Sequence, residues 1–83
     1  MRIGISGANG YLGRNLFKFL SKKKTNDSII VFDPRKGNIP DNLNIIYHLG
    51  FGSNKKYQND YDSAMLLDER SAHSIGRYCI HNR

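Results

Sequence analysis

Apolar residues open the chain in a short block. Residues 2–6, Arg-Ile-Gly-Ile-Ser, run directly into glycine-rich sequence and predict a strand. From Tyr11 the period changes. Leu12, Leu16, Phe19 and Leu20 recur at i, i+4, i+7 and i+8, the spacing of one helix face. Lys22-Lys23-Lys24 closes that helix near residue 24, where cations suit the negative end of the backbone dipole. Thr25-Asn26-Asp27-Ser28 reads as a polar turn. Ile29-Ile30-Val31-Phe32 is continuously apolar and rich in β-branched residues, as suits a parallel strand covered on both faces. Asp33-Pro34 ends it, because proline cannot continue the ladder. Residues 35–44 read as loop, with at most a short turn of helix. Asn44–Leu49 predicts a third strand, stopped by Gly50-Phe51-Gly52. After a polar stretch, residues 60–81 predict a helix with Tyr61, Ala64, Met65, Ala72, Ile75 and Cys79 on one face, although Gly76 weakens it. Strand, helix, strand, loop, strand, helix is the order of an α/β fold.

Size narrows this to one domain. The chain has 83 residues, so its core is small and marginal stability is expected. No apolar run is long enough to span a membrane. The stretch before Gly7 is too short for a signal peptide. Cys79 is the single cysteine, so no internal disulfide forms and a reducing cytoplasm is expected. The net charge of +6 admits nucleic acid, an anionic surface or phosphate-bearing small molecules. Outside the lysine run, the densest basic positions are the pairs Arg35-Lys36 and Lys55-Lys56. This scatter argues against a nucleic-acid footprint.

The candidate chemistry lies at Gly7-Ala8-Asn9-Gly10-Tyr11-Leu12-Gly13, between the first strand and the first helix. Gly7 permits a tight turn. Gly10 lets the backbone approach a diphosphate without a Cβ in the way. Gly13 lets the helix pack close to the sheet. The helix start then offers free N–H groups and about half a positive charge to phosphate. Asp33 falls twenty positions after Gly13, where a dinucleotide site needs a carboxylate for ribose hydroxyls. By itself Asp33-Pro34 is a strand-ending turn; the glycines give it a second meaning. A carboxylate there repels a 2′-phosphate, which favours NAD over NADP. Arg35, two residues on, could instead accept that phosphate.

These residues resemble the nucleotide-binding half of extended short-chain dehydrogenases, the NAD-dependent epimerase/dehydratase family acting on nucleotide sugars. Ser6–Gly13 looks like that family's Gly-x-x-Gly-x-x-Gly loop, with an aromatic residue and a leucine before the last glycine. Asp33 matches its ribose-binding acid. Ile46-Tyr47-His48-Leu49-Gly50 resembles its strand near the cofactor, usually ending His-Leu-Ala, with Gly50 in place of the alanine. The resemblance implies an abbreviated Rossmann-type sheet, with the second and third strands flanking the first. It also implies a cofactor site made by Gly7, Asn9, Gly10, Tyr11, Leu12, Gly13, Asp33, Arg35, His48, Leu49 and Gly50.

The departures bear on chemistry. Fourteen residues separate Asp33 from His48, too few for the further strand and helices the family places there. The adenine-contacting aspartate has no clear counterpart, Asp41 being a weak candidate. The family's catalytic Tyr-x-x-x-Lys pair is missing. Four positions after Tyr11, Tyr47, Tyr57, Tyr61 and Tyr78 stand Asn15, Phe51, Tyr61, Met65 and Asn82. The C-terminal sugar-binding region of the family is missing too.

Other clusters carry less. His48 reads as a buried histidine satisfied by hydrogen bonds. A triad of Ser6 or Ser53 with His48 and an aspartate lacks a strained nucleophile turn. His73, Cys79 and His81 are spaced off a common helix face, against a metal site. Asp60, Asp62, Asp68 and Glu69 read as a solvated helix face. The expectation is a partial dinucleotide-binding domain over residues 1–83 that does not catalyse alone. Open sheet edges invite self-association or a complementing chain. The alternative is a non-enzymatic βαβ module whose basic surface binds an anionic partner.

Overall fold

A computed structural model describes residues 1–23, 25–52 and 54–82, with the backbone alone at Asn54. Lys24 and Ser53 lie outside the described residues. Strand β1 spans Arg2–Ser6, helix α1 Tyr11–Lys22 and strand β2 Ser28–Phe32. A single 3₁₀ turn follows at Pro34–Lys36. Strand β3 spans Ile45–His48, helix α2 Asn54–Asn59 and helix α3 Tyr61–His81. The three strands form one parallel sheet in the order β2-β1-β3.

The central strand pairs on both sides, and the pairing sorts its residues by face. Ile3 lies beside Ile29 and Ile45, and Ile5 beside Val31 and Tyr47. Gly4 and Ser6 turn the other way with Phe32 and His48. Ile3, Ile5 and Phe32 are the buried apolar residues of the sheet. The α1 helix packs on β1 and β2, on the Ile3–Ile5 face. The α3 helix takes the opposite face, over the connection that carries the chain from β2 across β1 to β3. Tyr78 ties it there: its hydroxyl donates to the Pro40 carbonyl at 2.8 Å and accepts from the Leu43 N–H at 3.0 Å. A Cβ on Gly4 would collide with the Leu43 and Phe32 side chains, so glycine lets that connection lie flat on the sheet.

Each long helix buries only part of the face that apolarity selects: Leu16 and Leu20 of α1, and Ala64 and Ile75 of α3, turn inward, and the other expected positions do not. On α1 the buried position is Gly13, with Leu16 and Leu20 half-buried behind it. Leu12 and Phe19 are 67% and 59% exposed. The close approach at Gly13 sets the helix rotation, and Leu12 and Phe19 flank the contact line. On α3 the inward line is Ala64, Asp68, Ser71, Ile75 and Tyr78, at alternating steps of four and three. Tyr61, Met65, Ala72 and Cys79 are exposed. The inward polar groups are all bonded; Ser71, for example, donates to the Leu67 carbonyl at 2.9 Å. Gly76 does not interrupt the helix.

The α2 helix is an addition to the sequence expectation. Its residues Asn-Lys-Lys-Tyr-Gln-Asn carry no apolar period. It is held instead through Tyr57, whose hydroxyl donates to the Asp68 carboxylate. Among the described residues no helix is long and apolar enough to cross a membrane. Among the described residues, the outer edges of β2 and β3 carry no further strand within the sheet.

Candidate functional site

The carboxyl ends of all three strands open into one cleft of ≈ 490 Å³. Its position follows from topology. The chain leaves β1 to one side for β2 and crosses to the other side for β3, and a crevice forms where the direction reverses. The floor is the loop Gly7–Gly10. Gly7 has φ +78°, the left-handed region that glycine tolerates. A Cβ there would also lie 2.5 Å from the Gly50 N–H nitrogen and the Leu49 carbonyl carbon. The loop closes with Gly10 N–H donating to the Gly7 carbonyl at 3.1 Å. That carbonyl is where a Cβ on Gly13 would land, at 2.0 Å. Gly7 and Gly13 are therefore required by the fold.

Gly10 is different. Its backbone is extended, and the nearest atom to a Cβ there is 3.5 Å away, ordinary contact. It lines the cleft and caps α1 without a side-chain hydrogen bond. No acidic side chain sits in the first turn of α1, so its positive end is not offset locally.

Asp33 ends β2 at the cleft wall, and it is engaged. Its Oδ1 accepts from the Arg35 backbone N–H and from Arg35 Nε, both at 3.0 Å, while Oδ2 accepts from Arg35 Nη2 at 3.1 Å. The Arg35 guanidinium holds the Asp33 carboxyl below the usual carboxylate range. Of the residues expected at a cofactor, Gly7, Asn9, Gly10, Asp33, Arg35, Leu49 and Gly50 line the cleft. Tyr11 and Leu12 point into solvent from the helix start, and Gly13 is packed beneath the loop. Asp41 offers its backbone carbonyl to the Arg2 guanidinium at 3.0 Å and lies outside the cleft lining.

His48 is also outside that lining. Its Nδ1 lies 2.5 Å from Ser6 Oγ. The same Oγ accepts the Leu49 and Gly50 N–H groups at 3.1 and 3.2 Å. The Ser6 hydroxyl is thus left to donate to Nδ1, which puts the imidazole proton on Nε2. Nε2 is buried with no hydrogen-bond partner among the described residues, so only half of the expected satisfaction is met. Ser6 and His48 do come together, but Ser6 is 0% exposed. Its hydroxyl knits β1 to the end of β3 and is closed to a substrate.

No family model, curated protein or solved structure matches the chain.

The cleft contains groups that glycine spacing did not indicate. Lys36, Phe51 and Lys56 all line it. The pairs Arg35-Lys36 and Lys55-Lys56 were the available signal. Asp68 helps set this wall. Rather than standing in a solvated face, its carboxylate accepts the Gly52 N–H at 2.9 Å and the Tyr57 hydroxyl. That contact pushes the Tyr57 pKa up to about 12, and it ties α2 and the β3–α2 turn to α3.

Burial holds His48 below its ordinary pKa of 6.5, with the Asp68 charge acting in the opposite sense. The neutral ring is therefore the form the fold prefers. Stability is full above about pH 6.5 and falls as the pH drops through the folded value. Asp27 and Asp33 are depressed below 3.8, so the stability they contribute is lost only in a separate, more acid window. Urea midpoints should fall from pH 7.5 to pH 5 in the wild type and less steeply in His48→Gln. Equal slopes would contradict this assignment.

Proposed function

We propose that the cleft holds the diphosphate of a nicotinamide dinucleotide, in a domain of the kind found in epimerase/dehydratase-like short-chain dehydrogenases. Gly10 carries the reading. Gly7 and Gly13 serve the fold, but nothing in the fold requires glycine at Gly10. A missing Cβ there leaves room for a group to reach the backbone at the start of α1, where N–H groups face outward. The cleft volume is in the range of small-molecule sites, and Asp33 with Arg35 stands where the ribose would lie.

The residues present fit binding better than catalysis. A bound nicotinamide ring would supply hydride transfer. This chain's own part is to bind and orient, since no tyrosine here precedes a lysine by four positions. The reading also puts the chain in the cytoplasm, where the exposed thiol of Cys79 stays free.

Thermal unfolding followed during dinucleotide titration tests it. Ligand at about 100 times its dissociation constant adds about 2.7 kcal/mol, a rise of roughly 10–20 °C in a domain this small. No rise at millimolar concentration, with the protein folded, would contradict the reading. Salt-dependent binding of polyphosphate in its place would favour a basic module for anionic partners.

A further inference from the structure

We propose that Arg35 makes the cleft selective for the 2′-phosphorylated dinucleotide, NADP, over NAD. The inference rests on the dinucleotide reading above and names which cofactor that site takes. It reverses the preference expected from Asp33 in isolation.

The Asp33 lone pairs are mostly taken. To hold a ribose with free 2′- and 3′-hydroxyls, a carboxylate must accept from both. A carboxylate offers about four acceptor positions. Arg35 occupies three of them, with both positions on Oδ1 filled by its backbone N–H and Nε, and one on Oδ2 by Nη2. The ribose diol finds one acceptor where it needs two.

Arg35 presents the opposite situation. Its guanidinium has five N–H donors, and the fork onto Asp33 uses two of its side-chain nitrogens. The remaining donors lie in a plane that Asp33 has already fixed. A planar, pre-oriented guanidinium is well suited to phosphate. The side chain is 40% exposed, so those donors are accessible. Arg35 also stands at a junction: it and Pro34 line both the first cleft and a second groove of ≈ 510 Å³ toward α3. A substituent leaving the ribose has room there.

Charge points the same way. Among the residues lining the cleft, Asp33 and Arg35 offset each other and Lys36 adds a positive charge beside them, while the Asp68 charge acts on Arg35 from behind the wall. A 2′-phosphate adds about −1.5 to −2 charges to the ligand. In this arrangement Asp33 is a positioning residue that acts through Arg35.

Calorimetric titration of NAD and NADP into the wild type, Arg35→Ala, Arg35→Lys and Asp33→Ala tests the proposal, with circular dichroism confirming that each is folded. NADP should bind about tenfold or more tightly than NAD at low salt. Arg35→Ala should remove most of that ratio by weakening NADP. Arg35→Lys, which keeps the charge but not the fork, should lower it in part and serves if the alanine variant does not fold. Asp33→Ala should lower the ratio too, because Arg35 loses its anchor. NAD binding as tightly as NADP would overturn the inference and leave the dinucleotide reading standing. So would a ratio that rises in Asp33→Ala, which would make Asp33 a ribose acceptor that repels phosphate. Binding of neither cofactor would remove both.

Discussion

Gly13→Ala is expected to remove most of the protein's stability at room temperature. The added Cβ lies 2.0 Å from the Gly7 carbonyl oxygen and 2.7 Å from its carbon. Both atoms are backbone, so no rotamer change relieves the contact. Either α1 moves off the sheet or the loop gives up its turn. Overpacking of this kind costs about 3 kcal/mol or more. A domain of this size has about 3–5 kcal/mol to lose. The control is Gly76→Ala on α3, where a Cβ meets nothing within 4 Å. There helix propensity should raise stability by about 0.5–1 kcal/mol. Urea denaturation of the two variants should move in opposite directions. A Gly13→Ala variant as stable as the wild type would show that the loop and helix are not packed as described.

The second large effect separates folding from binding. Gly10→Ala should change stability by less than about 1 kcal/mol, since its Cβ meets only ordinary contact. Losing a helix-capping glycine and stiffening the unfolded chain act in opposite senses. In the dinucleotide complex the same methyl would stand between the backbone and the diphosphate. Losing charge-assisted hydrogen bonds there should cost about 2–3 kcal/mol, or roughly 30- to 150-fold in affinity. A variant that folds normally and binds normally would detach Gly10 from any ligand.

Most of the scaffold was legible from the chain. β1, β2 and β3 are short apolar blocks with β-branched residues, bounded by glycine, proline or polar turns. Such blocks specify parallel strands with little tertiary help. The glycine triplet gave the loop and the start of α1, and Gly7 and Gly13 are held by steric demands that the spacing already implied. What escaped was set by polar contacts. The α3 helix buries Ser71 and turns Asp68 and Tyr78 inward, because each finds a backbone or hydroxyl partner. A reading weighted by apolarity passes over such positions. The α2 helix has no period of its own and depends on Tyr57 meeting Asp68 across eleven residues. Asp33 was legible as an acid at a strand end, but its capture by Arg35 two residues on was not. That local pairing makes Asp33 an anchor for the Arg35 guanidinium in place of a free carboxylate.

The most direct test of the central claim follows the backbone amides during titration with the dinucleotide. Binding at the loop predicts the largest NMR shift changes at Gly10, Tyr11, Leu12 and Gly13, following a single dissociation constant that rises roughly 30- to 150-fold in Gly10→Ala. Saturable changes confined to α3 or to the Lys55-Lys56 region, with the loop amides still, would contradict it.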